Sequence, residues 1–215
     1  FVDNHSATQY LESIPLRNPE FSSPAQDRTR LLEKAKTLYE RYCDKDDLAC
    51  VTGFVDHELE QGRGDVVHDL LAFLAGQMIA MNKEKQAVVE DFWLDLEGVT
   101  APDTFDTLRH RGKWERSLWQ AEPCRPFVAA DSRSTRNLDD SLGWNEECFK
   151  AFVKMLPGTV DNFSAVVKLY RRHHPRYRAL ARRLAQTDTL IDQIVYRLYG
   201  LTEEEIAIVE GNDPS

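Results

Sequence analysis

Six arginines, Arg171, Arg172, Arg176, Arg178, Arg182 and Arg183, fall within a short stretch near the end of this 215-residue chain, with Lys168 just before them and no acidic side chain among them. A guanidinium presents a planar fork of donors that matches the oxygens of a phosphate, so the chemistry on offer is the holding of an anionic backbone, not the breaking of a bond. Tyr170 and Tyr177 are interleaved with the cluster. The whole chain carries −9, so with seven cations confined to 168–183 the remainder is net −16. One strongly basic element on an acidic body is a candidate anion site, while a uniformly nucleic-acid-binding surface is excluded. The competing reading is a solvated helix face that pairs with the chain's own acids or with absent domains, and sequence alone leaves both open.

Other reactive side chains offer less. Asp188 and Asp192 lie one helical turn apart and could form an acid/base pair, but no third polar group converges on them, and capping or balancing Arg197 is the simpler role. His57, His68 and the adjacent His173-His174 lack the spacing of metal ligands and read as structural or surface histidines. Asn18-Pro19-Glu20-Phe21 is comparable with the Asn-Pro-Pro-aromatic turn that holds a flipped adenine. It lacks the second proline, and no Gly-rich cofactor loop precedes it, so we read it as connecting chain. No lysine has an acid two positions before it, which excludes the Asp/Glu-x-Lys triplet of a common metal-dependent nuclease. The expectation is therefore no catalytic residue, no cofactor-binding residue and no metal ligand in this chain.

With 42% hydrophobic residues the chain can bury a sizeable core. Cys43, Cys50, Cys124 and Cys148 contain no C-x-x-C pair and read as free thiols. The chain opens at Phe1 with no basic-then-apolar leader and no uninterrupted apolar run of membrane length, so the expectation is a soluble fragment of a larger cytoplasmic protein that does not enter a membrane.

The elements that must position the arginines read as all-α: a helical bundle with one or two long helices, an extended N-terminal lead-in and a long irregular central loop. Residues 1–22, with Pro15 and Pro19, lack helical periodicity and read as a trailing connector from something absent. Ser23-Pro24-Ala25-Gln26 supplies an N-cap, a proline at the first helical position and a capping-box glutamine for a helix to about Tyr42, with Leu31, Leu32, Ala35, Leu38 and Tyr39 inward. A second helix spans about Asp47 to Leu59, closed by Gly62 and Gly64. Asp65 caps the longest element, to about Glu97, which would reach about 50 Å. Val67, Leu74, Met81 and Val88 recur there every seven residues, and Leu71, Met78 and Phe92 form a second register interrupted by Lys85.

Regular patterning fails over 98–143, where Pro102, Pro123, Pro126 and the polar run Asp131 to Arg136 suggest a long loop pinned by Trp114 and Trp119. Asn145 then starts a helix to Leu156, ended by Pro157-Gly158, and Asp161 starts another to about Arg172. His173-His174-Pro175 marks a break before a final long helix carrying Leu180, Leu184, Ile191, Val195 and Leu198. Gly200 sits where a left-handed cap is needed, and Thr202 with Glu205 forms the capping box of a last short helix bearing Ile206, Ile208 and Val209. The organisation expected is a connector over 1–22 and a helical domain over 23–215.

The run Thr187 to Glu210, the segment Ile14-Pro-Leu-Arg17 with Phe21 and Pro24, and the stretch Val67 to Gln86 (VHDLLAFLAGQMIAMNKEKQ) resemble the carboxy-terminal end of single-chain type IIG restriction-modification enzymes and related adenine-N6 DNA methyltransferases, including those of phage-exclusion systems. The resemblance implies a parent that methylates adenine in a specific DNA sequence using S-adenosylmethionine, with Mg2+ as well if it carries a nuclease. Residues 1–22 would then leave a target-recognition domain. The chain itself would be non-catalytic, bracing that domain and the methyltransferase domain while its arginines touch the backbone of double-stranded DNA. The alternative is a helical protein–protein or oligomerisation module, with a second copy as partner, which the seven-spaced stripe favours.

Overall fold

Apolar side chains recurring every three or four positions give six α-helices and no strand among the described residues, which in this computed structural model are 20–100, 138–155 and 162–211. The helices are α1 (Ala25–Lys45), α2 (Ala49–Glu60), α3 (Gly64–Glu97), α4 (Glu146–Met155), α5 (Phe163–Tyr199) and α6 (Glu203–Val209), with a 3-10 turn at Leu138–Gly143. The all-α expectation holds. The expected helical region divides into two compact units, Phe1–Ala75 with Thr189–Ser215 and Gly76–Asp188. No linker signal announced this division, because it falls inside α3 and α5.

In the first unit, Ala35, Tyr39 and Tyr42 of α1, Val51, Phe54 and Val55 of α2, Val66, Val67, Leu70 and Leu74 of α3, and Leu190 and Ile194 of α5 form one core. Each fully buried aliphatic side chain contributes about 1.5–3 kcal/mol relative to exposure. The start of α1 departs from the expected capping box. Ser23 caps nothing: its N–H and hydroxyl donate to Asp65 at 2.8 and 2.9 Å, and Pro24 occupies the cap position without a side-chain bond. Asp65, itself 1% exposed, gains more from those donors than Ser23 would from one backbone amide at a solvated helix end. Helix α1 ends on Asp46 in the left-handed region (φ 58°), a conformation that aspartate tolerates. Glu58 is 1% exposed and accepts from Arg63 across the turn that leads into α3.

At its far end α5 closes as the sequence indicates. Gly200 adopts φ 64°, Leu201 N–H donates to Tyr196 O and Gly200 N–H to Arg197 O, the paired bonds of a Schellman motif. Thr202 and Glu205 form the reciprocal capping box of α6. Ile208 and Val209 of that helix stay exposed.

In the second unit, Val88, Val89, Phe92 and Leu96 of α3 pack with Leu142, Trp144, Cys148, Phe149 and Val153 and with Val166, Tyr170 and Tyr177 of α5. Asn145 caps α4 by accepting from the Cys148 N–H at 2.7 Å, as its position suggested. The stripe Val67, Leu74, Met81 and Val88 is buried throughout, so the feature that favoured an oligomerisation seam is consumed by the chain's own cores. Lys85, which interrupts the second register, sets its ammonium over the Tyr177 ring at 5.1 Å. Helix α3 is also long enough, and over one window apolar enough (mean hydropathy 1.2), to cross a membrane by length and composition alone; a third of that window is buried in the fold.

The expected break at His173-His174-Pro175 does not occur. Helix α5 runs through Pro175 without interruption. A proline inside a helix removes one backbone bond and costs about 3 kcal/mol. The side chains around it supply the offset. Tyr170, His173, His174 and Tyr177 fall at i, i+3, i+4 and i+7, one inward stripe that continues across the proline. Tyr170 donates to Trp144 O at 2.5 Å, His173 Nε2 meets Asp95 at 2.7 Å, His174 Nδ1 meets Leu142 O at 2.6 Å and stacks on Tyr170. Burial pushes the Tyr170 phenol up to about 12. Pro157-Gly158, Asp161, Trp114, Trp119, Cys124 and the loop over 101–137 lie outside the described residues, as do residues 1–19 of the expected connector.

Candidate nucleic-acid interface

The arginines of α5 occupy the side of the helix opposite its inward stripe, and Arg171, Arg172, Arg176, Arg178 and Arg182 are all exposed. Helical geometry separates the six into two rows. Arg171, Arg178 and Arg182 follow one another at i, i+7 and i+11. Arg172, Arg176 and Arg183 follow at i, i+4 and i+11.

The two rows meet different neighbours. Arg171 reaches α4, where its Nε and Nη2 donate to both oxygens of Glu146 at 2.9 and 2.6 Å. Lys150, one turn further along α4, also pairs with Glu146. The Arg171 guanidinium, with Lys150 second, holds the Glu146 carboxyl down to about 2. Among the described residues Arg178 donates only to the backbone carbonyl of Gly143, at 3.4 Å. No carboxylate among the described residues pairs with Arg182.

The second row turns to α3. Arg172 lies 3.4 Å from Asp95, which also receives His173, and Arg176 lies 3.0 Å from Glu84. Arg183 is engaged as well. Within this unit the partners descend along α3 as the arginines ascend α5, so the two segments run antiparallel.

Tyr170 and Tyr177 do not join the arginine face. Both are buried, with Tyr170 stacked on Phe149 at a centroid distance of 4.3 Å. The tyrosines therefore position the helix and offer no ring to a base. Asp188 and Asp192 are exposed, and Arg197, the expected counter-charge, instead pairs with Asp56 at 3.1 Å and with Gln193. Phe21 of the Asn-Pro-Glu-Phe run lies under the Arg28 guanidinium and edge-on to His68, at 4.4 and 5.4 Å, and Arg28 forms a bidentate pair with Asp69. That contact fixes the lead-in to α3; Asn18 and Pro19 lie outside the described residues. Cys43, Cys50 and Cys148 form no disulfide with one another. No group of three or more His, Cys, Asp or Glu side chains suited to a metal occurs among the described residues.

Sequence reasoning found the arginines but missed Glu84, Asp95, Glu146 and Lys150, which decide how much of their charge is free. The three acids lie 25 to 92 residues from their arginines, so no local spacing could have joined them, whereas Lys150 sits at the local i,i+4 spacing from Glu146. Set beside known proteins, the chain matches no family model, no curated protein and no solved structure.

Proposed function

We propose that this chain is a non-catalytic helical region that braces neighbouring domains of a DNA adenine methyltransferase or restriction-modification enzyme and contacts the backbone of double-stranded DNA through the arginine side of α5. The observation that carries the reading is the confinement of seven cations to one exposed stretch of α5 on a chain whose net charge is −9. Sequence-independent contact with phosphates needs that arrangement and no more. Base readout, S-adenosylmethionine binding and any Mg2+-dependent cleavage belong in this reading to the domains that the resemblance implies.

The test is a titration of the 215-residue chain with a short DNA duplex over a range of salt concentrations. The reading requires affinity that falls linearly on a log–log plot, with a slope of about −0.9 for each phosphate neutralised, and equal affinity for unrelated sequences. Absence of binding at low salt would remove it. The oligomerisation reading no longer has the seven-spaced stripe, but Ile79 and Leu94 in the second unit, and Ile208 and Val209 in the first, remain as exposed apolar side chains. A mass that rises with concentration in sedimentation would favour it.

A further inference from the structure

The geometry points to Arg178 and Arg182, flanked by the Arg171–Glu146–Lys150 triad, as the row that meets phosphate, and leaves Arg172 and Arg176 paired with acids of α3. This rests on the DNA-contacting reading above and narrows it from six arginines to one side of the helix.

The argument is one of charge left over after the fold has taken its share. In the row facing α3, each arginine whose contacts are defined has a carboxylate to itself or nearly so: Arg176 has Glu84, and Arg172 shares Asp95 with His173. Arg172 and Arg176 therefore keep little net charge. In the other row, Glu146 serves two cations, Arg171 and Lys150, so that triad is net +1. Arg178 has only a carbonyl, which orients a guanidinium without neutralising it. Arg182, exposed one turn further on, adds a full charge with no carboxylate beside it among the described residues. The row is therefore close to +3 over the twelve residues from Arg171 to Arg182, a length of about 16 Å along the helix. Duplex DNA presents a phosphate about every 3.4 Å on each strand, so a run of this length spans several of them.

The partner chemistry follows from the same count. A phosphate approaching Arg182 or Arg178 displaces no carboxylate, and at Arg178 it competes only with the Gly143 carbonyl among the described residues. One approaching Arg172 or Arg176 must also displace Asp95 or Glu84 and leave that carboxylate facing the DNA, a like-charge contact. Arg171 is intermediate, because losing Glu146 to Lys150 leaves the acid still paired.

The experiment uses the full chain, a fluorescently labelled duplex and anisotropy titrations at several salt concentrations. Arg178→Ala with Arg182→Ala should flatten the log–log salt slope by about 1.8, two contacts at about 0.9 each. Arg172→Ala with Arg176→Ala should leave the slope unchanged. Arg178→Lys with Arg182→Lys should restore it, since a point charge suffices for counterion release. Circular dichroism on each variant establishes that the helices are retained. Equal flattening by both alanine pairs, or flattening by the Arg172/Arg176 pair alone, overturns the assignment while the DNA reading stands. A wild-type chain that shows no salt-dependent binding overturns both.

Discussion

The first unit withdraws two of its ion pairs from water, beside exposed ones such as Arg30–Asp27 and Arg41–Asp47, whereas the described arginine pairs of the second all stay exposed. In the first unit, Arg28 and Asp69 are 23% and 19% exposed and Glu58 is almost fully buried against Arg63. In the second, Arg171, Arg172 and Arg176 are 58%, 71% and 60% exposed, and their acids are within reach of water too. A pair withdrawn from water cannot exchange partners without leaving a buried charge, so it fixes geometry. An exposed pair contributes between zero and about 1 kcal/mol and can be traded for another anion. The first unit commits two of its pairs to architecture, and the second keeps the charge of Arg178, Arg182 and the Glu146 triad available to a ligand.

The sharpest way to break that contrast is Asp65→Ala in the first unit. The change strips the acceptor from Ser23 N–H and Oγ and from Val66 N–H at a site 1% exposed, and should cost about 2–3 kcal/mol in urea unfolding. A loss below 0.5 kcal/mol would mean that the first unit does not rely on its charges either. Next in size is Tyr170→Phe, which leaves the Trp144 carbonyl without its donor beside Pro175. We expect about 1–2 kcal/mol, with earlier amide exchange in the middle of α5. Thr202→Ala should cost about 1 kcal/mol by removing the capping box, and the loss should show as fraying confined to α6. The smallest effect belongs to the exposed pairs: Arg176→Ala should change stability by less than 0.5 kcal/mol, and a larger loss would show that the second unit also depends on its surface charges.

Acid sharpens the same comparison. Burial alone would raise the Asp65 carboxyl, but the donations from Ser23 and Val66 outweigh it and hold the group below its ordinary value. Glu146 is held down to about 2 by Arg171 and Lys150. Both are depressed carboxylates, so their contributions are complete above their unfolded values and fade as pH falls through the folded ones. For Glu146 the window runs from about 4.5 to about 2. An acid titration of the Glu146→Gln variant should therefore converge on wild type below about pH 2, diverge through that window and reach its full difference above it, which is small because the pair is exposed.

Much of this was legible in the chain. The end of helix α3 at Glu97, the cap at Asn145, the left-handed Gly200 and the Thr202–Glu205 box follow from patterns closed within a few residues and stand where the sequence put them, but α3 begins at Gly64 with Asp65 in its first turn and bonded to Ser23, not as its cap. Two local signals pointed the wrong way. Ser23 looks like a cap until Asp65, 42 residues on, offers a buried acceptor. Pro175 looks like a stop until Asp95, Leu142 and Trp144 take hold of the side chains around it. The spacing Tyr170, His173, His174, Tyr177 could have warned against the break, because an inward stripe that crosses a proline signals a helix held from outside.

The sequence by itself determined that the chain is helical, where most helices begin and end, and that its positive charge is gathered in one stretch, because these properties are local or additive. Only the tertiary structure decided that α5 continues through its proline, that the seven-spaced stripe of α3 is spent on internal packing, and which arginines keep their charge. Those outcomes depend on partners brought close by folding, and Coulombic and hydrogen-bonding energies are set by distance in space and not by separation along the chain.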